Sequence, residues 1–353
     1  MWTGWTGKGV SGTKKSRFTD VRYWLGIGLT ILSLALLLRS IDFSSAGEAF
    51  RSIDLPLAAI TLLTVVLTIL LKAIRWKILF QPRSVQPSTA GAISILTIGQ
   101  MVNFVFPLRF GEVGRVYLAT EIEGSAPVLT AATILLEKTI DTLGLLICLA
   151  LVVPFVPLPG WLRQPVLAAT ATALAAAIAI LILARWHHGA RIALRKLFRF
   201  LPGRAADLLE GESDAVLLSL RGLQQPSVLI QVVLLSIATW VLAVLTNYVA
   251  FLTLGISASF AAAAFSLIVL QVGVAVPSAP GRLGVFQALT VLALSVFGIA
   301  PSVALTYSIL LHGVVFLPPS VAGVVLLWHE NTTFRQKRLR VPGREAPAEG
   351  EPL

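Results

Sequence analysis

Pro107-Leu108-Arg109-Phe110-Gly111 and Pro280-Gly281-Arg282-Leu283-Gly284 interrupt two long apolar runs, at about 91–120 and 259–298, and the reading of these two knots decides the fold. Proline removes a backbone donor and clashes with the preceding turn, so neither run continues as one helix. Each reads as a re-entrant helical hairpin or as a pair of short spans. Non-helical backbone at membrane depth is tolerated only where protein buries it or where it lines a wet cavity. The knots agree at three of five positions and stand 173 residues apart. The same offset lays the apolar stretch 55–79 over 228–252, and brings 126–153 onto 302–328.

Composition makes the runs membrane segments. The 353 residues are 56% hydrophobic and only 13% charged, with mean hydropathy +0.85, where a soluble domain carries about 25% charged residues. Windows such as Tyr23 to Leu38, Val128 to Val153 and Val228 to Leu254 have the length needed to cross a core of roughly 30 Å. Full spans are expected at about 22–39, 55–79, 126–153, 165–185, 228–254 and 302–328. The first follows a basic stretch but no small-residue cleavage site follows Arg39, so it reads as a retained helix. The expected architecture is an all-α polytopic membrane protein with about six full transmembrane helices and two re-entrant hairpins in an inverted-topology repeat. Its parts are a basic cytoplasmic segment 1–21, a membrane domain 22–328 and a disordered cytoplasmic tail 329–353. Within the membrane domain, repeat one covers about 55–153 and repeat two about 228–328. A basic amphipathic segment, about 186–225, joins them and suits the inner leaflet.

The net charge of +11 and pI near 10.4 would suggest nucleic acid in a soluble protein. Here Lys and Arg cluster where helices leave the membrane, on one side, which places both termini in the cytoplasm and excludes nucleic acid as the expected partner. With that topology the first hairpin enters from the cytoplasm and the second from outside, the arrangement in which broken helices meet near the midplane. Cys148 is the lone cysteine and lies in an apolar span, so neither a disulfide nor a Cys-based metal site can form within one chain. No metal and no cofactor is expected.

Ionisable groups in a span cost about 2.5–3.5 kcal/mol each on insertion scales, so each calls for a partner or a role. Glu137 and Asp141 stand four apart on one helical face of the span 126–153, with Lys138 turned elsewhere. The hairpins bring Arg109, Glu112, Arg115 and Arg282. One reading pairs Glu137 and Asp141 with Arg109, Arg115 or Arg282 as ion pairs that hold the hairpins. The other makes a polar cavity, where helix ends freed at the breaks and an arginine suit a phosphate, and Asn103, Gln100 and Gln271 add uncharged hydrogen bonds. Arg75, just before Trp76, reads as an interfacial anchor. His312, Glu137 and Asp141 are the intramembrane groups suspected of carrying protons. No Walker A loop, HExxH, Gly-x-Ser-x-Gly elbow or dinucleotide fingerprint occurs, so an enzyme is not expected.

At these residues the chain resembles the transmembrane region of lysylphosphatidylglycerol synthases. The matching pieces are Arg75-Trp76; Gly99 through Asn103, leading to Pro107, Arg109, Gly111, Glu112 and Arg115; Glu137-Lys138 with Asp141; and Pro277, Pro280, Gly281, Gly284, Val285 and Phe286. The resemblance implies a flippase-like module of the bacterial cytoplasmic (inner) membrane that passes polar lipids between leaflets. Fused members carry a soluble aminoacyl transferase domain. Only 25 residues follow Trp328, so lysylphosphatidylglycerol synthesis is not expected. Arg282 stands where such proteins often have a second glycine, and Gln287 where an acid is expected; both bear on the charge of the lipid. Three hypotheses follow. The first is a flippase for a phospholipid, aminoacylated phospholipid, hopanoid or polyprenyl-linked lipid, with membrane lipids as partners. The second is a non-transporting scaffold for a lipid-modifying or glycan biosynthesis enzyme. The third, an intramembrane lipid transferase, lacks a visible donor site.

Overall fold

The computed structural model describes residues 53–80, 86–105, 110–158, 225–273 and 280–339, with Leu223 and scattered positions between 160 and 175. These residues are helical, with no strand among them. In chain order the helices are α1 (Leu55–Ile78), α2 (Thr89–Val105), α3 (Phe110–Glu123), α4 (Pro127–Val152), α5 (Pro226–Thr253), α6 (Phe260–Gly273), α7 (Val285–Ser295) and α8 (Pro301–Leu339). Among them α1, α4, α5 and α8 are long and apolar enough to cross a membrane. At 1.5 Å per residue the 24 residues of α1 reach about 36 Å. Each of the four opens on a proline in its first turn (Pro56, Pro127, Pro226, Pro301), where a missing N–H loses no intrahelical bond. The chain is an all-α polytopic membrane protein.

Four of the expected spans fall on α1, α4, α5 and α8. The expected span 22–39, most of 165–185 and of the basic segment 186–225, and the segment 1–21 lie outside the described residues. The tail was expected to be disordered from residue 329, yet α8 stays helical to Leu339.

Each broken segment holds two helices, α2 and α3 in the first and α6 and α7 in the second. In the first, Ser88, just ahead of α2, meets Glu123 at the end of α3, the Ser88 hydroxyl donating to Oε1 at 2.7 Å. Farther along, Gly99 faces Gly111 so closely that a Cβ on Gly111 would strike the Gly99 carbonyl and the Asn103 amide. In the second, Phe265 of α6 lies 5.9 Å from Phe297 just past α7, and Gly273 abuts Leu289. Both pairs therefore run antiparallel. At 17 residues or fewer, α2, α3, α6 and α7 each reach about 26 Å at most, short of a roughly 30 Å core.

Each half has its own apolar core, one around Trp76, Phe80, Ile95 and Leu96, the other around Phe251, Ala263, Leu294 and Tyr307. The packing of the halves is reciprocal. Helix α1 packs on α2 as α5 packs on α6, α3 on α4 as α7 on α8, and the first hairpin's α2 on α8 as the second hairpin's α6 on α4. The largest contact joins α1 to α5, antiparallel. Asp54 N donates to Thr253 O at 3.0 Å at one end, Thr246 donates to Thr64 at 2.9 Å midway, and Arg75 donates to Ser236 at 3.0 Å near the other. Small hydroxyl residues at such a seam let backbones approach and supply cross-helix hydrogen bonds where lipid offers none. The outer faces carry Leu63, Ile230, Leu234, Ile237, Leu292 and Val321, all exposed, an apolar surface that suits acyl chains.

Candidate functional site

Between the halves lies a cavity of about 300 Å³, at the lower end of the volumes ligand pockets occupy. Its wall is partly apolar, with Phe104, Phe286 and Phe316, and partly polar, with Gln100, Asn103, Asn247 and Gln271. Among the described residues three cations line it, Lys72 from α1, Lys138 from α4 and Arg282 from the turn between α6 and α7, and no carboxylate does.

The carboxylates are held behind the wall. Arg115 donates to Glu137 at 2.6 Å, both side chains being about 5% exposed or less. The Arg115 guanidinium also lies 4.3 Å over the Trp76 ring, and Trp76 in turn donates to Thr133 at 3.2 Å. This pairing is one of the arrangements the sequence allowed. Asp141 pairs with Arg75 instead, which also donates to Ser236. The expectation of an interfacial anchor fails here: Arg75 and Trp76 are both wholly buried, because a charge at the lipid face would lack the carboxylate it finds inside. Lys138 pairs with Glu112 at 3.2 Å. Among the described residues, then, Arg75, Arg115 and Lys138 each meet a carboxylate, Asp141, Glu137 and Glu112 in turn.

The two breaks use a common device. Gly111 N donates to Asn103 Oδ1 at 2.8 Å, and Gly284 N, at the equivalent place, donates to Gln287 Oε1 at 2.7 Å. The helix-start N–H groups that a phosphate was expected to meet are, at these two glycines, already satisfied by neutral amides. Gln287, where an acid was expected, keeps the cap without the charge. Its amide nitrogen stands 3.4 Å from His312 Nδ1, and His312 is boxed by Phe104, Phe286 and Phe316. None of Glu137, Asp141 and His312 lines the cavity.

The second break bends through left-handed backbone at Gly281 (φ 73°), Arg282 (φ 56°) and Gly284 (φ 80°). Glycine takes that conformation without a Cβ clash, whereas a residue such as arginine is strained by on the order of 1–3 kcal/mol. Arg282 is the one non-glycine residue of positive φ among those described. Pro280 begins this turn. Pro107 and Arg109 of the first break lie outside the described residues.

Two features escape a sequence reading. Lys72 counts as a cytoplasmic anchor by position, but lies one turn before Arg75 on the inward face of α1; that i, i+3 pair of cations was the available signal. Asn247 and Tyr307 form a buried cross-helix contact, Tyr307 OH donating to Asn247 Oδ1 at 3.0 Å, with no charge to advertise it.

Long apolar helices around an internal chamber with cations on its wall define a polytopic membrane protein with a buried polar site. More narrowly, the chain belongs to the family described as the lysylphosphatidylglycerol synthase TM region, whose model matches residues 23–323. No curated protein and no solved structure matches it.

Proposed function

We propose that this protein is a lipid transporter that moves a polar or anionic lipid between leaflets, with the headgroup in the central cavity and the acyl chains against the outer apolar faces. The observation that carries the proposal is the cavity between the halves, lined among the described residues by Lys72, Lys138 and Arg282 and by no carboxylate. A chamber walled by three cations has no structural use in an inert bundle, since ionisable groups at membrane depth are costly.

The reciprocal packing of the halves supports an inverted-topology repeat, in which α2–α3 and α6–α7 are re-entrant hairpins from opposite faces. Antiparallel α1 and α5, equivalent under the 173-residue offset, suit a two-fold axis in the membrane plane. Rocking one half against the other then opens the chamber to each side in turn, with both termini in the cytoplasm of a bacterial inner membrane. In this reading Glu137 and Asp141 fix the first half through Arg115 and Arg75 and carry no protons, so movement is passive. The same ion pairs favour the second reading, a rigid scaffold for a lipid or glycan biosynthesis enzyme.

Leaflet exchange of fluorescent phosphatidylglycerol, its lysyl ester and a polyprenyl phosphate in proteoliposomes separates the two. The transporter accelerates at least one lipid over protein-free vesicles, and Gln271→Trp, which fills the chamber, removes the acceleration. Exchange of none of them above the protein-free rate leaves the scaffold.

A further inference from the structure

We infer that His312 is a positioning residue for Arg282: neutral, it helps Gln287 hold the turn that carries Arg282, and protonated, it lets that turn go. The turn is strained at Arg282, φ 56°, with Gly281 and Gly284 also at positive φ, and such backbone persists only where its surroundings hold it. Phe104 closes one side, since a Cβ on Gly281 would stand 3.4 Å from its ring. Gln287 closes the other by accepting from Gly284 N at 2.7 Å.

The chemistry of that cap fixes the state of the imidazole. A backbone N–H can only donate, so the Gln287 atom facing Gly284 is the amide oxygen. The amide NH2 is thereby turned to His312 Nδ1, 3.4 Å away. It too can only donate, so Nδ1 accepts and the imidazole proton sits on Nε2. A second proton has to go on Nδ1, where it meets the NH2 group donor to donor. Flipping the Gln287 amide relieves that contact, offers Oε1 to Nδ1–H and turns the NH2 onto Gly284 N–H, so the cap on the strained turn is lost. Among the described residues Arg282 is the charged group that faces His312, and its like charge adds to the push. From α2 and α7 His312 meets Phe104, Phe286 and the neutral Gln287, and from its own helix Phe316. An acid at position 287 would accept from Gly284 N and from Nδ1–H together and keep the cap in both states; glutamine makes it conditional on the imidazole. The turn is therefore held while His312 is neutral and released as the pH falls through its protonation. Because Arg282 lines the cavity, release takes its guanidinium off the wall. Where the cavity is the lipid site proposed above, on which this last step rests, lipid exchange falls in acid.

The test places a nitroxide on Leu283→Cys, an exposed position beside Arg282, in the full chain with Cys148→Ser in lipid nanodiscs. Its EPR line shape is followed from about pH 8 to about pH 5, the interval in which an imidazole ordinarily takes up its proton. An immobile line shape at the upper end giving way to a mobile one at the lower is the expected result, and His312→Leu and Gln287→Glu each remove the change. The inference is overturned if the native line shape is the same at both ends, or if either variant keeps the change. Leaflet exchange of fluorescent phosphatidylglycerol by the unlabelled protein, at both ends of the range, is expected to be lost in acid and retained there by Gln287→Glu. Exchange undiminished in acid while the turn moves would overturn the positioning role. A turn that moves with pH in a protein that exchanges no lipid at either end would overturn the transporter alone and leave the His312 switch standing.

Discussion

The two halves of the bundle share a packing plan and part company over charge. The first half encloses Arg75–Asp141 and Arg115–Glu137. At the equivalent places, 173 residues on, the second half carries Tyr248 and Val314, and Ala288 and Leu310. Its buried polar groups are neutral ones, Asn247, Ser266, Tyr307 and Gln287. Among the described residues the same packing plan thus carries ion pairs in one half and hydroxyls, amides and aromatic rings in the other. Backbone geometry alone therefore dictates neither set. Ion pairs are directional and costly to break, which suits a hairpin fixed to its span; the neutral packing around Tyr307 and Phe251, stacked at 4.1 Å, has no such demand. The ion pairs belong to the first half, and Arg282 on the cavity wall belongs to the second.

The largest effect expected from this contrast is at Glu137. Glu137→Gln leaves Arg115 buried and uncompensated, a loss of about 3–5 kcal/mol, whereas Arg115→Leu with Glu137→Leu removes both charges and costs far less. Thermal unfolding in detergent should rank the single variant well below the double. Asn247→Leu, in the neutral half, should cost about 1–3 kcal/mol, from the two side-chain hydrogen bonds it removes, with Tyr307 and Ala243, while Tyr307 keeps the Asn247 carbonyl at 3.2 Å. Equal melting temperatures for Glu137→Gln and Asn247→Leu would erase the contrast between the halves.

A smaller effect is expected at the breaks. Gly111→Ala forces a Cβ into the Gly99 carbonyl and should cost about 1–3 kcal/mol by overpacking. Gly284→Ala meets a φ of 80° and should cost about as much by strain. Proteolysis within the first hairpin should rise for Gly111→Ala and stay unchanged for Gly284→Ala; cleavage in both would mean the hairpins do not open independently. The smallest effect belongs to the seam. Thr64→Val removes the hydrogen bond from Thr246, and cross-helix bonds in membranes average about 0.6 kcal/mol, a shift of melting temperature near the limit of detection.

Much of this was legible in the residues. Length and apolarity placed three spans within two residues at both ends and the start of the fourth, whose helix continues eleven residues past the expected 328, and the two knots fall where α2 gives way to α3 and α6 to α7. Glu137 and Asp141 were recognised as sharing a face, and Arg115 as a candidate partner. Asp141's partner was not, because Arg75 beside Trp76 at a helix end has the signature of an interface anchor; only packing against α5, through Ser236, turns it inward. Lys72 was lost for the same reason. The Asn247–Tyr307 contact depends on α5 meeting α8, a tertiary fact without local pattern. The left-handed backbone at Arg282 was hidden too, since arginine at that place announces charge and conceals strain.

The claim on which the rest depends is that the chamber between the halves opens to both sides of the membrane. Replacing Cys148 with serine gives a cysteine-free background in which Gln100→Cys and Gln271→Cys report from the cavity wall. A membrane-impermeant thiol reagent applied from each side of oriented vesicles measures access directly. Labelling of both positions from both sides, each blocked by Phe104→Trp narrowing the chamber, is the predicted result. Labelling from one side alone, or from neither, would contradict it.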